Sequence, residues 1–499
     1  MDPGLTDLTP RRRMLVLAIC CMSLLIVSLD NTILNVALPT LRREFHSSVS
    51  GLQWTIDAYL IVLASLLILA GSTADRIGRR RVFQTGLALF VLGSVLCSLA
   101  PSLGWLVAAR VVQAVGGSML NPVAMSIITN VFTEPRERAR AIGVWGAVVG
   151  LSMAMGPLVG GVLVDSVGWR SIFWLNVPIG LAALVLTALF VPESRAERPR
   201  RADPAGQVFM ILLLGTVAYA IIEGPGRGWG DPAVLGAAAV AVLSLAGFVR
   251  HALRTPEPLI DLRFFRSVPF TGATVIAVSE FAALGGFMFL NALYLQDVRG
   301  LSALHAGLYL LPMAAMSAVF APLSGRLVGT RGPRPSLVVA GAATLASAVL
   351  MAAFDAETHD ATLFIAYVLF GIGFGMVNSP ITNTAVSGMP RAQAGVAAAV
   401  ASTSRQVGQA LGVAVIGAVL AAGTSGARSG GADFVAAARP AYWVLAGCAA
   451  VVLALGVLTT GRRAARSAAR TAAQFEDAAQ FETAGPAGGG RHVTGASTR

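Results

Sequence analysis

Asp30 in SLDNTILNVALP, Asp57 in WTIDAYL and Arg110 in RVVQAVGGSMLNP are ionisable residues set inside long apolar runs. A charge at the centre of a membrane helix costs about 2.5–3.5 kcal/mol on insertion scales, so such residues are rarely idle. A carboxylate in apolar surroundings favours its proton, while a nearby arginine or a cationic ligand favours the anion. An acid that alternates between the two partners couples their movements. Asp30 is the first candidate for that role and Asp57 the second. For Asp30 and Arg110 the competing reading is a fixed ion pair, and for Asp57 it is recognition of cations.

Glu280 in VIAVSEFAALGG and Arg405 in STSRQVGQALG repeat the theme nearer the C-terminus, where pairing between them is plausible. Asn291, Tyr294 and Asn378 offer hydrogen bonds to a ligand, against the alternative that they serve contacts between helices. No HExxH, GxSxG or Walker loop is found, which argues against a membrane enzyme or an ATP-driven pump. Cys20, Cys21, Cys97 and Cys448 all sit in apolar runs, without the spacing of a metal site. No metal and no cofactor are expected.

These residues must be positioned by membrane helices. The chain of 499 residues is 55% hydrophobic and 12% charged, with mean hydropathy +0.72. Its apolar runs of about 20 residues each suffice to cross a ~30 Å hydrocarbon core. The expected fold class is an all-α polytopic membrane protein with fourteen spans. The first run, 14–38, follows Arg11, Arg12 and Arg13 but is too long for a signal peptide, and reads as an uncleaved span. At 1.5 Å per residue, Asp30 lies about 12 Å below Leu38, Asp57 about 9 Å past Gly51 and Arg110 about 7–8 Å past Trp105. All three therefore fall at similar depth.

Every basic residue apart from histidine is an arginine. With a cytoplasmic N-terminus, 28 of the 37 arginines fall in internal segments, 7 in external loops and two within spans. That asymmetry places both termini in the cytoplasm. The net charge of +12 then marks orientation and an anionic cytoplasmic leaflet, not nucleic acid. The expected organisation is a cytoplasmic N-terminus (1–13), a six-helix bundle (14–191) and a linker (192–267) with two extra spans near 205–222 and 232–249. A second six-helix bundle (268–460) and a disordered cytoplasmic tail (461–499) follow. The loop GSTADRIGRRRVF, 71–83, aligns with GRLVGTRGPRPSL, 325–337, matching Gly71 to Gly325, Gly78 to Gly332 and Arg80 to Arg334. Paired halves of this kind are the sequence trace of a transporter with its site between them.

The chain resembles the major facilitator superfamily, in particular its fourteen-span drug:proton antiporters. The resemblance rests on GSTADRIGRRRV, RVVQAVGGSMLNP, GLSMAMGPLVGG, LDNTILNVALP and GWRSIFWLNVPIG, and covers the chain to about residue 460. It departs from the family pattern at Thr73 and Ala114. The resemblance implies two six-helix bundles with two extra central helices. It implies a gating latch formed by Gly71, Asp75, Arg76, Gly78, Arg79 and Arg80, in which Gly71 admits a helix of the other half. It also implies an antiporter surface of Gly150, Gly156, Pro157, Gly160 and Gly161 packed on the first span. The implied function is proton-coupled export of amphipathic, cationic drugs or antibiotics from a bacterial cell by a monomer, driven by the proton gradient. Export of a neutral or anionic endogenous metabolite or lipid is the alternative; a receptor would not need the intramembrane acids.

Overall fold

The computed structural model describes residues 9–196, 202–386, 389, 394–424 and 431–484. Within them every regular element is helical. The first half contains α1 (Pro10–Phe45), α2 (Val49–Ile77), α3 (Arg79–Ser98), α4 (Leu103–Val131), α5 (Pro135–Ser166), α6 (Ser171–Trp174) and α7 (Asn176–Phe190). Next come α8 (Pro204–Arg227), α9 (Pro232–Ala252) and a 3-10 turn at Leu262–Arg266. The second half begins with α10 (Val268–Leu293), prolonged by a π-helical turn to Val298, then α11 (Ala303–Tyr309), α12 (Leu311–Arg331) and α13 (Pro333–Met351). It ends with α14 (Asp360–Val386), α15 (Ala394–Thr424), α16 (Gly431–Leu458) and a last helix, α17 (Arg462–Ala484). No other membrane-compatible arrangement of single segments satisfies the backbone internally without a closed barrel.

Among the described residues thirteen helices are long and apolar enough to span, and α5, bent by 40°, supplies a fourteenth. The bend falls between Met153 and Met155. Pro157 explains it: the ring removes the N–H that would bond the carbonyl four residues earlier and crowds that turn. Side-chain oxygens cap several spans, among them Ser48 on the Gly51 amide (3.2 Å) and Ser102 on the Trp105 amide (3.3 Å). The aligned loops are structurally equivalent. Gly78 ends α2 at φ 120° and Gly332 ends α12 at φ 79°, each in a region that favours glycine and each starting the next helix at once.

In the first half α1 packs on α5 and α7, and α4 on α2 and α3; in the second, α10 packs on α15, and α14 on α12 and α13. Glycines set the closest of these approaches. A methyl group at Gly285 would stand 2.5 Å from the Gln409 carbonyl oxygen, and Gly408 and Gly412 meet the backbone of α10 at Val278 and Ala282. Hydrogen bonds between the halves, among the described residues, gather at the end assigned to the outside by the arginines. There the Gln53 amide donates to the carbonyls of Val413 (3.1 Å) and Ala414 (2.7 Å) on α15. Gln296 donates to the Val36 carbonyl at 2.9 Å, and Asp165 accepts the amides of Ala303 (3.3 Å) and Leu304 (2.9 Å).

The two additional spans differ in role. α8 packs on both α2 and α15, so it covers the seam between the halves, with Trp54 Nε1 donating to Glu223 at 2.8 Å and Gln207 to the Ser65 carbonyl at 2.6 Å. α9 packs on α8 and leaves Val242 and Leu243 exposed to hydrocarbon. The tail expectation is corrected over 462–484, which forms α17. Ala464, Ala468, Thr471 and Phe475 fall on one buried stripe of that helix, and Phe475 packs on Phe264 at 5.3 Å, so burial outweighs the polar composition. Residues 1–8 and 485–499 lie outside the described residues.

Candidate proton-coupling and substrate site

Asp30 and Arg110 meet in a buried network built by five helices. The Arg110 Nη1 donates to Asp30 Oδ2 and, at 2.7 Å, to Gln113 Oε1; its Nε donates to the Thr55 carbonyl at 3.3 Å. The other oxygen of Asp30 accepts Gln113 Nε2 at 2.9 Å and Asn176 Nδ2 at 3.0 Å. Gln113 Nε2 also donates to Ser94 Oγ at 2.9 Å, and the guanidinium lies 4.0 Å from the centre of the Tyr59 ring. Asp30 and Arg110 are each 1% exposed, and Gln113 and Ser94 are fully buried. With both oxygens of the acid and most donors of the base engaged, this is a rigid ion pair in a satisfied polar core.

Asp57 stands apart from it. The residue is fully buried, and neither carboxylate oxygen has a hydrogen-bond partner among the described residues. It follows Gln53 by four residues, so it lies on the side of α2 from which Gln53 reaches α15. The three equal-depth residues therefore divide: the structure brings Asp30 and Arg110 together and leaves Asp57 on the seam between the halves.

Glu280 and Arg405 do not pair, although α10 and α15 are neighbours. Glu280 Oε1 accepts Thr344 Oγ1 of α13 at 3.0 Å, while its second oxygen is buried without a partner. Arg405 donates to Thr382 of α14 and lies 5.9 Å from the Phe281 ring. The two helices touch, but each charged side chain leaves its helix on a different side. The candidate ligand donors are mostly consumed by internal contacts. Asn291 donates to the Phe287 carbonyl (2.9 Å) and accepts the Tyr367 hydroxyl (2.6 Å), and Tyr294 donates to the Asp355 carbonyl (2.6 Å). The Asn378 side chain makes a long 3.5 Å bond to the Phe374 carbonyl of its own helix. Phe287 is core, stacked on Phe370 with ring centres 4.1 Å apart.

The loop after α2 is fastened within its own half. Asp75 Oδ1 accepts Arg79 Nε at 3.1 Å and Nη2 at 2.8 Å, and its backbone carbonyl accepts the Ala196 amide at 3.0 Å. Arg79 donates its amide to the Ser194 carbonyl at 2.9 Å, and Arg80 reaches the Ala188 carbonyl at 2.5 Å. Glu193 accepts the Arg80 amide at 3.1 Å and lies 3.7 Å from Arg81 Nε. Gly78 is required here twice over, because a methyl group would land 2.6 Å from the Glu193 carboxylate. A methyl group at Gly71 would stand 3.8 Å from Pro122 of α4, within the same half, which corrects the expectation that it admits a helix of the other half. Arg76 lies in the last turn of α2.

Of the five residues of the antiporter surface, Gly156 and Gly160 meet α1. Gly156 abuts Thr32 on α1, and a methyl group at Gly160 would stand 2.6 Å from Ile33 Cγ1. Gly161 instead serves the other half, 2.5 Å from Leu304 Cα by the same measure, and Gly307 of α11 abuts the Pro157 carbonyl. At Gly150 a methyl group would meet nothing within 4 Å among the described residues. Gly160→Leu is therefore expected to destabilise the α1–α5 contact by about 1–3 kcal/mol, as overpacking does. Gly150→Leu should leave the thermal midpoint in detergent near the native value. Equal midpoints for the two variants would remove the packing role of Gly160.

A family model described as the Major Facilitator Superfamily matches residues 20–413. The chain belongs to the Major Facilitator Superfamily. It is 38% identical over 412 residues to the multidrug resistance protein Stp of Mycobacterium tuberculosis, covering 83% of this chain and 76% of Stp. It is 39% identical over 402 residues to the tetracenomycin C resistance and export protein of Streptomyces glaucescens, covering 80% and 74%. With the methylenomycin A resistance protein of Streptomyces coelicolor it shares 36% over 397 residues, covering 79% and 82%. Among solved structures, a bacterial homologue of the human lysosomal transporter Spinster superposes with TM-score 0.64 at 19% identity, covering 93% and 98%. The fold is thus that of a multi-pass major facilitator of the bacterial cytoplasmic membrane.

Two residues of this major facilitator's buried network, and one that fastens the loop after α2, escaped the sequence reading. Gln113 lies three residues after Arg110, on the same helix face, and its position was the available signal. Asn176 stands in the quoted GWRSIFWLNVPIG, where a lone amide in an apolar run was a clue. Glu193, an acid just past the sixth span and close in sequence to four arginines, is the third.

Proposed function

We propose that this chain exports amphipathic, cationic drugs or antibiotics in exchange for protons, and so confers resistance on the cell that makes it. The single observation that carries the reading is Asp57, a wholly buried acid with no donor, on the α2 face that meets the other half. A buried, unpaired charge is held at a cost of several kcal/mol, so the site is suited to a group that takes up a proton or a cation in turn. Asp30 is already occupied by Arg110, Gln113 and Asn176, and its part in the mechanism is to hold α1 and α4 together while the halves move. Among charged groups of the second half, Glu280 with its one unpartnered oxygen is the candidate for a second proton site.

The protein acts as a monomer with both termini in the cytoplasm and uses no cofactor; its chemistry is transport and not catalysis. Relatives named for drug or antibiotic resistance support the choice of substrate class. If two protons enter for each monovalent cation expelled, the membrane potential contributes about 2.3 kcal/mol per 100 mV. The test uses inverted membrane vesicles acidified inside by respiration. Adding a cationic substrate should release protons from vesicles that contain the protein and not from vesicles that lack it. A panel of cationic and neutral drugs that moves no protons would overturn the reading.

A further inference from the structure

α17 carries a site that the transport mechanism does not use. Ser467 Oγ donates to the Arg266 carbonyl at 2.9 Å and accepts the Val268 amide at 3.1 Å, which pins the helix to the start of α10. Phe475 lies between the Phe264 ring and the Arg263 guanidinium, 4.6 Å from its centre, and fixes the far end. Docked this way, α17 presents Arg463, Arg466 and Arg470 on successive turns beside Arg266. The four guanidinium groups line one open cavity of about 380 Å³. Among the described residues no carboxylate lines it, and none of the four arginines has an ion-pair partner. Gathering four like charges is unfavourable unless an anion occupies the space between them.

We propose that this cradle binds the phosphate of an anionic phospholipid headgroup. Planar, forked guanidinium groups suit phosphate oxygens, and basic pockets at the edge of the spans are where lipid headgroups are held. A free phosphate would satisfy the same charges, but the surroundings favour the lipid. Phe265 and Val268 flank Arg266 and are exposed, and Val275 continues the same exposed side of α10 two turns into the span. An acyl chain leaving the cradle lies along that stripe. The lipid would thus tie α17 to the second half at the membrane surface.

Purified full-length protein in detergent should bind phosphatidylglycerol, followed by native mass spectrometry and by the rise in thermal midpoint. Phosphatidylcholine should bind more weakly, and inorganic phosphate should not raise the midpoint. The triple variant Arg463→Gln, Arg466→Gln, Arg470→Gln should bind phosphatidylglycerol at least ~10-fold more weakly, because three charge-assisted contacts are lost. Its residues are exposed, so it should fold with the native midpoint in the absence of lipid. Arg250→Gln with Arg254→Gln, at the end of α9 and outside the cradle, should bind as the native protein does. Retained binding by the triple variant would overturn the site. Equal losses in the two variants would replace it with general surface attraction, and a midpoint raised equally by inorganic phosphate would overturn the lipid as occupant.

Discussion

Asp57→Asn is expected to abolish drug-driven proton release from inverted vesicles while leaving the protein folded. The amide keeps the shape of the acid but cannot give up a proton, and a positioned proton-transferring group contributes about 10²-fold or more to the step it serves. Folding should be spared because neither carboxylate oxygen makes a hydrogen bond among the described residues that the substitution would break. The companion is Asp30→Asn, whose amide oxygen can still accept from Gln113 and Asn176 but whose nitrogen opposes Arg110. That variant should be unstable in proportion to its loss of exchange. Normal exchange by Asp57→Asn, with exchange lost in a well-folded Asp30→Asn, would return the proton-carrying role to Asp30.

The second large effect concerns stability. Arg110→Met removes one partner of a buried ion pair, which typically costs about 3–5 kcal/mol because the remaining charge stays desolvated. It also removes the side-chain donor to the Thr55 carbonyl and the main donor to Gln113 Oε1. The measurement is the thermal midpoint and the yield of folded protein, with Asp30→Asn and the double variant completing a cycle. The double variant should recover much of the loss, since no uncompensated charge is left. An Arg110→Met protein as stable as the native one would show that the network is dispensable. Arg110→Lys should fall between, because an ammonium cannot serve Asp30, Gln113 and the Thr55 carbonyl from one planar fork.

Both effects depend on a division that residue depth did not reveal. Depth along a helix follows from counting residues, and it sets Asp30, Asp57 and Arg110 at similar levels. Azimuth decides which of them touch, and azimuth depends on how five helices rotate against one another. The same holds for Glu280 and Arg405: their helices are adjacent, yet one side chain turns to α13 and the other to α14. The latch residues illustrate a different limit. Asp75, Gly78 and Arg79 were recognisable from the loop pattern, but the segment carrying Glu193 lies where only the folded chain brings it.

By itself the sequence determined that this is a helical membrane protein of about fourteen spans in two related halves. Each apolar run must satisfy its own backbone in lipid, and the repeated glycines end helices through their local backbone freedom alone. The family resemblance, in turn, implied that α5 closes on α1, where Gly156 and Gly160 have no side chain to hold the helices apart. The tertiary structure decided the rest: that Asp30 is spent on an ion pair, that Asp57 is not, and that an arginine-rich tail becomes a docked helix with a cradle. Those outcomes are set by the faces on which neighbouring helices meet, and a contact between residues far apart in sequence is a property of packing.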